Sequence, residues 1–459
     1  MRKLPGRSLL QHKENINKMG HIQKIVETME TDEEFAPVAI DDNLNLFTLP
    51  AEDIGVLDRK WVITGPVNTS IDANSVIEFN IEGNAEKYID LKNTRLEISF
   101  KLLTADGGTL AEDDMAAPIN LFLATMWRQV EIQLNHENLK GVNTNYPYKA
   151  VLDALLETTE GYKTGQLGPS LFAKDLGGMM DEHTKGGGNT GFNFRRNLTT
   201  ESIECQMYGG FFLDICQQKK NRLILNGVHL NIKMWPASNE FKFMSSAPVT
   251  LKLTSCVLNL CLVTVNPEIM VAQREVMNIA PVVYPFYRSD IKTFSIAKSE
   301  MNLTSENLFN SRIPHKLMVG IVTSKAFNGD LTKNPFNFQH FNLKQIILTV
   351  DGNSVPMEGG FKPNFRAGKA ELWMKEYLAL NGENIGNPLW YNGIELKDFN
   401  SGYAIYVFTV RTEHELKKRG LCRLSIEFAE ALTEAVTVIV YGKFPDMLQI
   451  DQYNKVIQS

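Results

Sequence analysis

From about Val76 to Tyr441 apolar residues recur with a period of two, and that period limits most strongly what the chain can fold into. Leu96, Ile98, Phe100 and Leu102 alternate with Glu97, Ser99 and Lys101, so one set faces a core and the other the opposite side of a strand. Val130, Ile132 and Leu134 alternate with Glu131 and Gln133 in the same way. Further strand-forming runs are read at Ile203–Ile215, Val228–Met234 and Val249–Val265, then at Leu317–Val322, Leu343–Val350, Tyr403–Val410, Cys422–Phe428 and Ala435–Tyr441. Helical patterns are few and short. The fold class is all-β.

A chain of 459 residues is too long for one ordinary core. The division is read near 266–285. Asn266-Pro267 has the form of a helix N-cap followed by proline at the first helical position. Glu268–Met277 then forms a short linker helix, and Pro281 and Pro285 lead into the next β region. The expected plan is an N-terminal arm over 1–44, a β domain over 45–265, a linker helix and loop over 266–284, a second β domain over 285–445 and a C-terminal tail over 446–459.

The two halves echo one another in order. Val130–Leu134 is followed by Asn135-His136-Glu137-Asn138, Tyr146-Pro147-Tyr148 and a helix near 149–157. Ile346–Val350 is followed by Asp351-Gly352-Asn353, Phe361-Lys362-Pro363 and a helix near 366–378. Phe211–Ile215, a polar loop and Val228–Met234 match Ile405–Val410, Arg411–Arg419 and Cys422–Phe428. One sandwich topology is thus used twice. Long connections and few tight hairpin signals favour two tandem eight-stranded jelly rolls over an up-and-down barrel. An immunoglobulin-like sandwich would be shorter and would lack the mid-domain helix. The glycine-rich stretch 161–194, with Gly186-Gly187-Gly188 at its centre, is expected to be a long interaction loop projecting from one sandwich end.

The formal net charge of −6 leaves no general basic field for a nucleic-acid backbone. Charge is uneven only at the start. Arg2, Lys3, Arg7, Lys13, Lys18 and Lys24 stand against Glu14 alone, and Glu27, Glu30, Asp32, Glu33 and Glu34 then reverse the sign. This reads as a mobile or conditionally ordered arm that makes a weak contact with nucleic acid or an inner shell component. The five cysteines (Cys205, Cys216, Cys256, Cys261, Cys422) form an odd set without repeated spacing, which favours a reducing compartment. No N-terminal stretch resembles a signal peptide, and the apolar runs fall short of the about 18 residues that span a membrane. A protein that is not secreted is expected, and the sequons at Asn68, Asn197 and Asn302 are read as chance matches.

No chemistry stands out. The eight histidines are scattered without ligand spacing, and His229, ahead of an alternating strand, reads as a hydrogen-bonded structural residue. Gly186-Gly187-Gly188 lacks a following Gly-Lys-Ser/Thr, and no nucleophile elbow occurs. Asp113-Asp114 and Glu33-Glu34 lie in polar contexts and read as solvated faces. No catalytic, cofactor-binding or metal-ligating residue is assigned, no cofactor or small-molecule substrate is expected, and the chain is read as no enzyme. Lys219-Lys220 with Arg222, and Lys417-Lys418-Arg419, occupy equivalent places in the halves. They read as solvated loop tips, or as tips on one side of a particle that meet an acidic neighbour or nucleic acid.

The stretch from Ile291 to Pro356 is the most distinctive. It carries Val319-Gly320-Ile321-Val322, Ala326-Phe327-Asn328-Gly329-Asp330 and Asn334-Pro335-Phe336-Asn337-Phe338, then a strand into Asp351-Gly352. This string resembles the start of the second jelly roll in the hexon-like, double jelly-roll major capsid proteins of Polinton (Maverick) elements and adintovirus-type double-stranded DNA viruses. The resemblance implies a homotrimeric, pseudo-hexagonal capsomer that tiles an icosahedral shell around a double-stranded DNA genome. It further implies contacts with neighbouring capsomers, with penton or minor capsid proteins and, through the arm, with the interior. The location implied is the virion capsid, with synthesis in the host cytoplasm or nucleus. Physically, Asn328-Gly329-Asp330 and Asn334-Pro335 are turn formers. Phe327, Phe336, Phe338 and Phe341 are expected to anchor the intervening loop against their own core or a neighbouring subunit. The alternative is a tandem β-sandwich binding module, lectin- or adhesin-like, whose long loops hold a ligand. It predicts a secretion signal and often calcium-binding acidic loops; neither is read in the sequence.

Overall fold

Among the described residues, sixteen strands pair into two copies of one nested pattern. The computed structural model describes residues 55–68, 74–141, 144–218, 220–355, 358–365, 391–410 and 419–458. The expected arm over 1–44, the helix near 366–378 and the cationic residues Lys219, Lys417 and Lys418 lie outside these.

The first half contains β1 (Val56–Thr64), β2 (Ile77–Ile81), β3 (Lys87–Ile89), β4 (Arg95–Thr104), β5 (Ala116–Pro118), β6 (Trp127–Leu134), β7 (Glu137–Asn138), β8 (Cys205–Gly209), β9 (Leu230–Pro236), β10 (Phe243–Ser245) and β11 (Val249–Val265). One sheet runs β1-β11-β4-β8, with the short β3 also on β11, and the facing sheet runs β2-β9-β6-β7. The second half contains β12 (Val282–Ile296), β13 (Asn302–Ser305), β14 (Lys316–Thr323), β15 (Leu343–Val350), β16 (Asn353–Val355), β17 (Ile405–Thr409), β18 (Cys422–Phe428), β19 (Val436–Ile450) and β20 (Val456–Gln458). Its sheets run β12-β19-β14-β17 and β13-β18-β15-β16.

With β3, β5, β10 and β20 set aside, each half pairs its first strand with its last, its second with its seventh, its third with its sixth and its fourth with its fifth. That nesting of antiparallel pairs is a jelly roll. The chain is therefore a double jelly roll. The innermost pair of each roll closes with a two-residue turn in which both residues are left-handed. These are Asn135-His136 (φ 47° and 68°) in the first roll and Asp351-Gly352 (φ 47° and 85°) in the second. Two consecutive positive φ values match the twist of the flanking strands, and Asn, Asp and Gly tolerate them best.

Burial along the strands separates the rolls. In β11 the buried positions alternate over Val249–Leu253 and again over Cys256–Leu260, as in a sheet with one face on its core. In β14 every residue from Leu317 to Thr323 is buried. Leu317, Val319 and Ile321 point into the core of the second roll, whereas Met318 and Val322 belong to the core cluster of the first. On β17 and β19, Tyr406, Phe408, Val438 and Val440 face inward, and Ile405, Val407, Ile439 and Tyr441 face the first roll. The sheet β12-β19-β14-β17 is thus covered on both faces, which explains its continuous apolar runs.

Asn266 accepts a hydrogen bond from the backbone N–H of Glu268 and caps a helix over Pro267–Met277. Three expectations are corrected. The tail read at 446–459 is strand: β19 continues to Ile450, and β20 folds back onto Leu448–Ile450. Buried Leu448, Ile450 and Val456 hold it there. The run Ile203–Ile215 stops at Gly209 and resumes as a 3-10 turn over Asp214–Gln217. Gly209 packs so tightly on Ser170 that no ordinary side chain fits, and Asp214 turns inward to a buried lysine. The stretch 161–194 does not project. Leu167, Leu171, Phe172, Asp175, Met180 and Asn189 within it are buried, and it enters a helix over Thr190–Thr199.

Candidate functional site: the junction of the rolls and the open sheet face

The helix Tyr146–Glu157 of the first roll has eleven buried residues, from Tyr146 to Leu156, and lies against the second roll. Its Asp153 is the centre of a buried charged network. Oδ2 of Asp153 accepts from Lys149 Nζ at 2.7 Å, one helical turn back. Oδ1 accepts from Tyr441 Oη at 2.8 Å and from Lys443 Nζ at 2.8 Å, both on β19 of the second roll. Lys443 also reaches Glu157 at 2.5 Å. Lys149 reaches Asp214 at 3.2 Å, and Asp214 accepts from the Ser289 hydroxyl at 2.6 Å and its backbone N–H at 2.8 Å.

Burial opposes ionisation of the Asp153 carboxyl, yet the two ammonium groups outweigh it and hold the pKa at about 2. Burial likewise opposes charge on Lys149 and Lys443, and the facing carboxylates hold both above the usual lysine range. Asp153, Lys149 and Lys443 stay charged because their counter-charges are fixed. Such a network fixes orientation more than it adds stability, since desolvation consumes much of the attraction.

A second cluster ties the 161–194 segment to the second roll. Arg195 is fully buried and donates to Asp175 Oδ1 at 2.7 Å, Pro118 O at 2.8 Å and Ala173 O at 2.7 Å. Asn334 donates to Asp175 Oδ2 at 3.0 Å, and its backbone N–H donates to Asp181 at 2.9 Å. Tyr403 Oη donates to Asp175 O at 2.6 Å, and Lys174 pairs with Asp398 at 2.5 Å. Beside them Lys163 donates to the carbonyls of Leu155 and Asn392, the latter from the second roll. Burial, reinforced by the charge of Lys174, pushes the Lys163 pKa down to about 7.

The aromatic residues of the Ile291–Pro356 stretch meet the same helix. Phe327 stacks on Tyr148 at 5.5 Å between centroids, and Phe336 meets it edge-on at 5.6 Å. Phe338 lies 6.5 Å from Tyr148, whereas Phe341 packs on the core of the second roll. Phe327, Phe336 and Phe338 therefore anchor their loop to the other roll of the same chain, a destination between the two expected. The sequence reading missed Lys149, Asp153, Asp214 and Lys443. Their signal was charge inside apolar surroundings, as in Tyr441-Gly442-Lys443-Phe444.

Of the remaining singled-out residues, His229 stacks on His136 at 4.9 Å, and its backbone N–H bonds Asn135 Oδ1. Arg222 donates to Val283 O at 2.6 Å, while Lys220 is exposed. All five cysteines are free thiols and buried. Among the described residues, no group of three or more His, Cys, Asp and Glu is placed to hold a metal ion, and no helix is long and apolar enough to cross a membrane.

Among the described residues, no element covers the outer face of the sheet β1-β11-β4-β8. It presents Trp61, Ile63 and Tyr208, exposed by 50%, 70% and 41%, around Glu97. That carboxylate accepts from Asn259 at 3.1 Å and Gln206 at 2.7 Å.

A scan of known family models gives no match to this sequence. The Caenorhabditis elegans uncharacterized protein F54H12.2 is 22% identical over 436 residues, which cover 90% of this chain and all of that protein. Among solved structures, a chain of the Sputnik virophage particle matches with a TM-score of 0.62 at 12% identity, over 94% of both chains. The Faustovirus major capsid protein matches with a TM-score of 0.56 at 7% identity, over 95% of this chain and 98% of that one. The double jelly roll derived from strand order is thus the fold of a viral major capsid protein.

Proposed function

We propose that this chain is a structural major capsid protein of the Polinton or adintovirus type, which trimerises into pseudo-hexagonal capsomers and tiles an icosahedral shell around a double-stranded DNA genome. The observation that carries the reading is one nested strand order built twice in a single unit, with a buried charged junction between the copies. Two similar lobes locked together are what a threefold ring of six lobes requires. A likeness to a viral major capsid protein over 95% of the chain supports this over the tandem binding module.

On this reading residues 45–265 are the first domain, joined by 266–284 to a second domain that runs from 285 through β19 and β20. The segment 1–44 acts as an arm on the inner side, touching genome or a minor protein. The partners are further copies of the chain, penton or minor capsid proteins, and the site of action is the virion, after synthesis in the host cytoplasm or nucleus. The role needs no catalytic step. Size-exclusion chromatography with light scattering tests it: a stable species of about 155 kDa, three times 51.8 kDa, is expected. A strictly monomeric, sugar-binding species would sink the proposal.

A further inference from the structure

A cavity of about 610 Å³ lies between the helix Pro267–Met277, the ends of β1 and β11 and the start of β12, within the roughly 300–1,000 Å³ of small-molecule sites. We propose that it binds a single-chain fatty acid, with the acyl chain inside and the carboxylate at the guanidinium of Arg222. Val56, Leu225, Val265, Ile269, Ala272 and Val276 supply apolar walls. The helix has little other cover: of its residues only Met277 is buried, and Val276, on the cavity wall, is 60% exposed. Apolar surface in this state gains by leaving water together with an apolar occupant. The site lies within one chain, so its occupancy is independent of trimer formation.

The polar groups of the wall decide the chemistry of the occupant. Tyr88 Oη donates to Gln273 Oε1 at 2.7 Å. Tyr284 Oη accepts from the Leu225 N–H at 3.0 Å and donates to Leu223 O at 3.2 Å. Both hydroxyls are thus committed to the protein. An extended peptide inserted there would bury N–H and C=O groups without partners, whereas an alkyl chain needs none. Charge favours an anion at the mouth. Among the described residues, no Asp or Glu lines the cavity, although Glu268 and Glu275 stand on the same helix. Arg222 lines it and is exposed. Its Nη1 donates to Val283 O at 2.6 Å, which fixes the guanidinium and leaves further N–H groups for a carboxylate. Burial raises the pKa of both tyrosines, and the charges of Arg274 at Tyr88 and Arg222 at Tyr284 oppose it, so two cations act on the cavity. An apolar chain with one anionic end matches both the walls and the charge.

The test is isothermal titration calorimetry of the full-length chain with sodium octanoate, decanoate and laurate, each below its micelle concentration. One molecule per chain is expected, and each step of two methylenes should tighten binding about sixteenfold, from roughly fourfold per methylene. Arg222→Gln should weaken decanoate about fivefold and leave decanol unchanged; equal weakening of the two overturns the placement of the carboxylate. Ala272→Trp fills the cavity from an exposed helix position and should weaken laurate more than about tenfold. Unchanged laurate affinity in the folded Ala272→Trp chain overturns the inference, as does an affinity that does not grow with chain length. Should circular dichroism show that variant unfolded, the chain-length series and Arg222→Gln decide. A full-length chain that takes up no laurate overturns it too, whether another segment or a partner protein then fills the cavity. Sedimentation with phosphatidylglycerol vesicles without uptake of the monomeric acid would make the site a membrane contact, and overturns it as well.

Discussion

Replacing Asp153 with alanine removes the acceptor of three hydrogen bonds at once, from Lys149, Tyr441 and Lys443. Two of those donors are buried ammonium groups. Lys149 retains Asp214 and Lys443 retains Glu157, so neither cation is stranded, but each loses its shorter or more central partner in a dry setting. A carboxyl drawn from 3.8 to about 2 carries roughly 2 kcal/mol of preference for its charged form. Breaking a buried pair from one side typically costs about 3–5 kcal/mol. A loss of about 3 kcal/mol is therefore expected, read as the shift in urea midpoint multiplied by the slope, followed by circular dichroism and tryptophan fluorescence. Because Asp153 joins the rolls, the two probes should also separate, with the rolls unfolding at different urea concentrations. The exposed pair Lys344–Glu427 at 2.5 Å is the control, and Glu427→Ala should cost under about 1 kcal/mol. A loss at Asp153→Ala no larger than the control would refute the argument that this network fixes the junction.

The same carboxyl gives a pH dependence. Its folded pKa lies below the unfolded value, so its contribution is present above about 4, the unfolded carboxylate range, and is lost as pH falls toward about 2. Asp153→Asn should remove that part of the acid dependence. Lys163 works in the opposite region. Its folded pKa of about 7 lies below the unfolded lysine value, so the unfolded state binds more protons and stability rises with pH from about 7 to 9. The stability difference between wild type and Lys163→Met should grow in favour of the wild type over that range; a constant difference would contradict it. A Cβ on Gly320 would stand 2.6 Å from Phe338 Cδ1, so Gly320→Ala should cost about 1–3 kcal/mol through overpacking, measured by urea denaturation. Burial pushes the thiols of Cys216, Cys256 and Cys422 up to about 12. Iodoacetamide should leave all three unmodified in the native protein and alkylate them in urea, as read by mass spectrometry.

Much of the fold was legible because a jelly roll writes itself in period two. Leu96–Leu102 and Val130–Leu134 announced strands β4 and β6, whereas Asn135-His136 and Asp351-Gly352, read only as polar residues after strands, proved to close the two innermost hairpins. Which strands pair was not legible: β1 meets β11 across the whole first roll, and no local pattern encodes a partner about two hundred residues away. The segment 161–194 misled because its glycines look like a free loop, while the residues that bury it, Arg195 and Asn334, act through distant contacts. Asp153 was hidden for a similar reason. A lysine and an aspartate four residues apart on a helix usually form a solvated pair. Only the second roll, by covering them, turns Lys149 and Asp153 into a junction.

The central claim is that two nested rolls, fixed at their junction, repeat around a threefold axis. Single-particle electron cryo-microscopy of the purified full-length chain measures this most directly. The account predicts a ring of six sheet-sandwich lobes, first and second rolls alternating. A particle holding one chain, or an assembly without six lobes about a threefold axis, would contradict it.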